Sequence, residues 1–162
     1  MRSAVVLFLI VFNISPAFGF QNEPDGFRGI AWETPIGQLG KEMKVVESHP
    51  DIVYYQRAGD SLKIGGAQLK EISYGFYKGK LSSVIIQATD LQKDPLYDAM
   101  EAQFGPTSKS DYEDFWIWEG TNTNISLDCN AVRCNAVFSS VASEAQKKAD
   151  AAEAAKKAGK DF

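Results

Sequence analysis

Cys129 and Cys134 are the only cysteines in the chain and enclose Asn130-Ala131-Val132-Arg133. Placed at facing positions of two antiparallel strands, residues 124–129 and 134–140, they would stand about 4.5–5.5 Å apart at Cα, close enough to bridge. A redox pair favours a thiol at a helix N-terminus, where the dipole lowers its pKa, and these thiols fall in strand-like runs. A four-ligand zinc site would need carboxylates to complete it, because the chain holds one histidine, His49. The spacing therefore predicts a structural disulfide, which an oxidising compartment favours.

Nucleophilic catalysis has little to build on. His49 precedes Pro50 in a short linker, and no serine occupies a Gly-x-Ser-x-Gly elbow. General base catalysis leans on histidine most often, so the bystander position of His49 removes the usual starting point. Gly65-Gly66 lacks the lysine and helix start that make a phosphate loop. Carboxylates gather at Asp111, Glu113 and Asp114, with Asp128 across the predicted sheet. Such oxygens can hold Ca²⁺ or act as a glycosidase pair, yet no Asp-x-Asp-x-Asp-Gly spacing is present and carboxylate separation is not encoded locally. An acidic strand edge that resists edge-to-edge pairing accounts for the same residues. No catalytic, cofactor-binding or metal-ligating residue is assigned, and no cofactor is expected.

The aromatic residues point towards recognition. In Phe115-Trp116-Ile117-Trp118, strand alternation sends both tryptophans to one face and Phe115 and Ile117 to the other. Tyr54-Tyr55 poses the same choice. If Trp116, Trp118, Tyr54 and Tyr55 are exposed they form a binding surface; if buried they are core.

These residues must be held by a scaffold, and the pattern supplies one. Residues 27–32 read as a short strand. Thr34-Pro35 opens a predicted helix, with Ile36, Leu39, Gly40 and Met43 on one face, weakened by about 1 kcal/mol at each of Gly37 and Gly40. Strands are predicted at 52–57, 68–77 and 81–89, the last two forming a hairpin about Lys78-Gly79. Asp94-Pro95 starts a second helix, with Leu96, Ala99, Met100 and Phe104 on its buried face and Gly105-Pro106 as its stop. Strands at 112–118, 124–129 and 134–140 complete the domain. The class is α+β, an antiparallel sheet with two packed helices, in an order compatible with a helix-plus-three-strands repeat. The tail, 143–162, is alanine-rich, with a capping box at Ser143-Glu144-Ala145-Gln146 and no stripe of large apolar residues. It reads as a solvated helix.

The N-terminus carries a secretory pattern: Arg2, an apolar run over 4–14, the helix breaker Ser15-Pro16, and small residues at Ala17 and Gly19. Cleavage near Gly19 would leave residues 20–142 as a single domain before the tail. Removing residues 1–19, whose one charged side chain is Arg2, takes the formal net charge from −4 to −5. That balance offers no basic patch to a nucleic acid, and no later run is long enough to span a membrane. A soluble, periplasmic or secreted protein is expected.

Phe27-Arg28-Gly29-Ile30-Ala31-Trp32-Glu33-Thr34-Pro35-Ile36, with Tyr74-Gly75-Phe76-Tyr77-Lys78-Gly79-Lys80-Leu81, resembles a family of secreted bacterial proteins that open with a Phe-Arg-Gly-Ile-x-Trp-x-Thr-Pro segment. That family brings no assigned activity. More remotely, the helix-then-strands plan and Phe104-Gly105-Pro106 are similar to the β-lactamase-inhibitor-like and outer-membrane assembly small-lipoprotein folds. That architecture implies protein binding. The resulting expectation is a non-catalytic exported binding or interaction module, with an envelope protein or small ligand as partner; the alternative is a small envelope hydrolase or metal-binding protein using the acidic cluster.

Overall fold

The computed structural model describes residues 19–107 and 112–159. Residues 1–18 of the predicted leader over 1–19, and Asp111 of the acidic run, lie outside the described residues. The strands are β1 (Gly26–Phe27), β2 (Ile30–Ala31), β3 (Met43–Ser48), β4 (Ile52–Arg57), β5 (Lys63–Ile64), β6 (Ala67–Gln68), β7 (Glu71–Tyr77), β8 (Lys80–Thr89), β9 (Phe115–Trp118), β10 (Thr123–Cys129) and β11 (Arg133–Ser140). Helix α1 (Lys93–Phe104) lies between β8 and β9, and α2 (Val141–Ala158) follows β11.

Seven strands form one antiparallel sheet in the order β3-β4-β7-β8-β11-β10-β9. The β7–β8 hairpin at its centre turns on Lys78 and Gly79, both at positive φ (48° and 79°). That is the two-residue turn whose twist matches the strands it joins. Alternation then puts Ile72, Tyr74 and Phe76 on the core face, all almost fully buried. The register carries this face outward through Val84, Phe138, Ile125 and Trp118.

Helix α1 covers that face with Leu96, Met100 and Phe104, spaced four apart along one side. It ends at Gly105, whose φ of 78° is one a side chain rarely adopts. Beside it runs the N-terminal segment, residues 19–32, here called the strap, which adds Phe20, Phe27, Ile30 and Trp32 to the core cluster. Glu23 clasps the strap to the turn before β10, accepting from the Asn122 and Thr123 amides and from the Thr121 hydroxyl. Burial raises its carboxyl pKa, but these donors together hold it below the ordinary value.

The helix predicted from Thr34 to about Lys44 is not formed. Glu33, at φ 65°, turns the chain so that Thr34-Pro35 lie beside the start of β8, with Pro35 bridged to Lys80: Glu33 N–H donates to Leu81 O, Leu81 N–H to Thr34 O, and Ile36 N–H to Gly79 O. A chain using its backbone groups this way cannot also close helical turns. Only two short 3-10 turns follow, Ile36–Gln38 and Gly40–Glu42, and Gly40 sits at φ 66°. Met43, expected on the helix face, begins the edge strand β3. The architecture is therefore sheet-dominated α+β, and the helix-plus-three-strands repeat has no helix in its first half.

Cys129 and Cys134 face each other at the end of β10 and β11, with sulfurs 2.08 Å apart and Cα atoms 4.0 Å apart. Asn130 closes the loop by accepting the Val132 and Arg133 amides at its side-chain oxygen. Breaking the bridge by Cys129→Ala with Cys134→Ala should lower unfolding free energy by about 2 kcal/mol, the loop-closure value for so short a ring, with an unchanged circular dichroism spectrum. Phe104, whose ring meets Phe20, Phe138 and Trp118, is the costlier site. Phe104→Ala should lose about 3–5 kcal/mol in urea denaturation.

Candidate functional site

The second face of the sheet is the candidate. Cross-strand registers lay its side chains out in rows: Gln87, Asn135, Asp128 and Phe115 in one, and Ser73, Ile85, Val137, Ser126 and Ile117 in the next. A third row carries Tyr54, Gly75, Ser83, Ser139 and Asn124. Serines and a glycine keep the centre low. A Cβ on Gly75 would lie 2.5 Å from Ser83 Oγ and 3.0 Å from the Tyr54 ring, so glycine is what lets Tyr54 lie across β7.

The result is a trough of three adjoining hollows of about 380, 450 and 280 Å³. Ile85 and Gln87 are shared by the first two, and Ser126 and Val137 by the last two. Its floor is apolar at Ile85 and Val137, and Glu47, Glu71, Asp128 and Glu144 stand along it, with Arg133 as a basic counterpart. Asn135 Oδ1, buried in the middle of the trough, has no hydrogen-bond partner among the described residues. Such an acceptor costs free energy until a donor reaches it.

Helix α2 bounds one end. Its N-cap is Ser140, which accepts the Ser143 amide, so the helix begins three residues before the predicted capping box. Glu144 accepts instead from the Ser139 hydroxyl and the Asn124 amide on the trough floor. Ser143 is buried and donates to Glu33. About two turns further, Asp150 Oδ2 accepts from both Tyr77 Oη and Lys78 Nζ at 2.7 Å. The helix read as solvated is therefore docked through Asp150, and only beyond it are its residues uniformly exposed.

The predicted aromatic surface divides. Trp118 is fully buried and its indole N–H donates to Gly105 O at 2.8 Å, so it is a core residue and cannot anchor a partner. Trp116, on the same face, is half-buried against Tyr97, with ring centroids 4.8 Å apart. Tyr55 packs edge-on against Phe76 on the core face. Tyr54 alone of the four looks into the trough, beside His49, whose Nε2 lies 2.8 Å from Glu47 Oε1. Phe115 and Ile117, the residues opposite in alternation, are the ones on the open face.

Of the acidic cluster, only members among the described residues are placed. Asp114 accepts Lys93 Nζ at 2.9 Å, and Asp128 faces the trough. Among the described residues no group of three or more His, Cys, Asp or Glu side chains is placed to hold a metal ion, and no helix is long and apolar enough to cross a membrane.

Sequence reasoning missed a second hollow, on the core side beneath the strap. It measures about 630 Å³ and lies between Phe27 and Arg28 of the strap, the β5–β6 tip and α1, over Ile86 and Phe138. The available signal was Arg28-Gly29, which forms the β1–β2 turn with φ of 47° and 79°. Arg28 Nη1 donates to Asp60 Oδ1 and Ser61 O, and Nη2 to Lys63 O. Asp60 also accepts from Tyr74 Oη, whose pKa is raised by burial first and by this carboxylate second.

Neither a protein-family model, nor a curated protein, nor a solved structure matches the chain. The site must be read from its own geometry.

Lys78 first, then Tyr77 and Gln146, hold the Asp150 carboxyl down to about 2 by hydrogen bonding. A carboxyl lowered in the docked state strengthens docking above its ordinary value of 3.8, and that strength is lost as pH falls towards 2. Amide exchange in α2 should therefore accelerate between about pH 4 and pH 2. Asp150→Asn should accelerate it at neutral pH and abolish that pH step.

Proposed function

We propose that this protein is an exported, non-catalytic interaction module that holds a segment of a partner protein in the trough on the open face of its sheet. The observation that carries the reading is the continuity of that trough from β4 to β9, over a floor kept low by serines and Gly75. An open face on an antiparallel sheet is ordinarily polar throughout. Ile85, Val137, Ile117 and Phe115 break that pattern and supply the desolvated patch on which interface energy concentrates.

The rim selects the partner's chemistry. Glu47, Glu71, Asp128 and Glu144 favour a segment with basic side chains flanking an apolar one, and such complementarity raises association rate and excludes acidic competitors. Export is supported by the leader-like first nineteen residues and by the Cys129–Cys134 bridge, which belongs in an oxidising compartment.

The test is site-specific photocrosslinking in the envelope. A crosslinker at Ile85 or Val137 should capture one discrete protein, and one at Leu91, which is 80% exposed outside the trough, should not. Ile85→Arg should weaken binding of the captured protein by more than about tenfold while leaving the circular dichroism spectrum intact. Equal capture at Leu91, or undiminished binding by Ile85→Arg, would overturn the assignment.

A further inference from the structure

The hollow beneath the strap is separate from the trough, on the other side of the sheet, and no interaction described so far uses it. It is an open cleft of about 630 Å³, a size in the range of small-molecule sites. Its floor is Ile86, Met100 and Phe138, all buried, and its walls are the half-buried Phe27 and Ile64. The far wall is closed by close approach: a Cβ on Gly65 would lie 2.8 Å from Ala99 Cβ.

The mouth is chemically different. Arg28 sits there in a left-handed backbone conformation, which for a residue other than glycine costs of order 1 kcal/mol. Its guanidinium has five N–H groups, and the bonds to Asp60, Ser61 O and Lys63 O engage Nη1 and one side of Nη2. Among the described residues, Nε–H and the second Nη2–H have no acceptor. The guanidinium charge is offset by the Asp60 carboxylate 2.5 Å away, and the group lies over the Phe27 ring. Its remaining N–H donors, at the rim of an apolar pocket, match a ligand with an apolar body and a carboxylate or carbonyl head.

We propose that this cavity binds a single-chain amphiphile, its alkyl tail against Ile86 and Phe138 and its carboxylate or ester carbonyl at Arg28. The shared chemistry has two sources, a free fatty acid and the acyl chain of a lipid.

Calorimetric titration of the full-length protein with decanoate, below its micelle concentration, should give saturable one-to-one binding. Decyltrimethylammonium, with the same tail and the opposite head, should bind at least about tenfold more weakly. Ala102 lines the mouth from the exposed side of α1, so Ala102→Trp should obstruct entry and weaken decanoate by a similar factor. Absence of saturable binding, indifference to head group, or indifference of a folded Ala102→Trp variant would each overturn the proposal. The head-group comparison needs no variant and decides the matter if Ala102→Trp does not fold. Decanoyl-lysophosphatidylcholine, added below its micelle concentration to the decanoate complex, separates the sources: competition assigns the site to a lipid acyl chain, and its absence assigns the site to the free acid.

Discussion

The register between β7 and β8 is the constraint from which the rest of the molecule follows. A slip of one residue would send every side chain of a strand to the opposite face. The turn at Lys78 and Gly79 prevents it, because both residues hold the positive φ that a two-residue hairpin requires. With that pairing fixed, one row of core residues runs across six strands: Tyr55, Tyr74, Val84, Phe138, Ile125 and Trp118. The bulge beside Gly75, where the extra residue Ser82 donates to Gly75 O, adjusts the hairpin without inverting it.

What differs between the two faces is what lies over them. Helix α1 crosses from β8 to β9 on the core side, and the strap fills the remaining area, clasped by Glu23 and by Trp32 Nε1 donating to Thr123 Oγ1. The open side receives only the first turns of α2 at one end. Small residues at positions 73, 75, 83, 126 and 139 leave it hollow instead of flat. The two candidate sites are thus back to back across one sheet, one rimmed by carboxylates, the other lined mainly by apolar side chains.

Much of this was legible along the chain. β4 occupies the residues predicted for it, the alternation of Ile72, Tyr74 and Phe76 is the observed core face, and Leu96, Met100 and Phe104 are the buried stripe of α1. The cysteine pairing followed from spacing alone. Those features are local: period two, period 3.6, a turn dipeptide and a short loop. The failure at Thr34-Pro35 had the opposite character. Threonine, proline and a spaced apolar set met the start and periodicity rules in spite of Gly37 and Gly40, yet the hairpin recruited the backbone of Glu33, Thr34 and Ile36 into hydrogen bonds from across the chain. Capping of α2 shifted for a related reason, since Ser143 is buried against Glu33 instead of serving as the cap.

The sequence by itself determined the elements whose causes lie within a few residues: the central hairpin, the helix α1, the last two strands and the bridge between them. It also contained the choice at Phe115-Trp116-Ile117-Trp118, as two alternating sets of equal standing. Only the tertiary structure decided between them, because alternation separates faces without saying which one a helix will cover. Once α1 and its Gly105 carbonyl lie against Trp118, the tryptophans belong to the core, and Phe115 and Ile117 are left to the open face. The trough and the cavity were invisible for the same reason. Each is made by residues from distant strands and loops, and a hollow is a property of what surrounds a space, not of any segment that lines it.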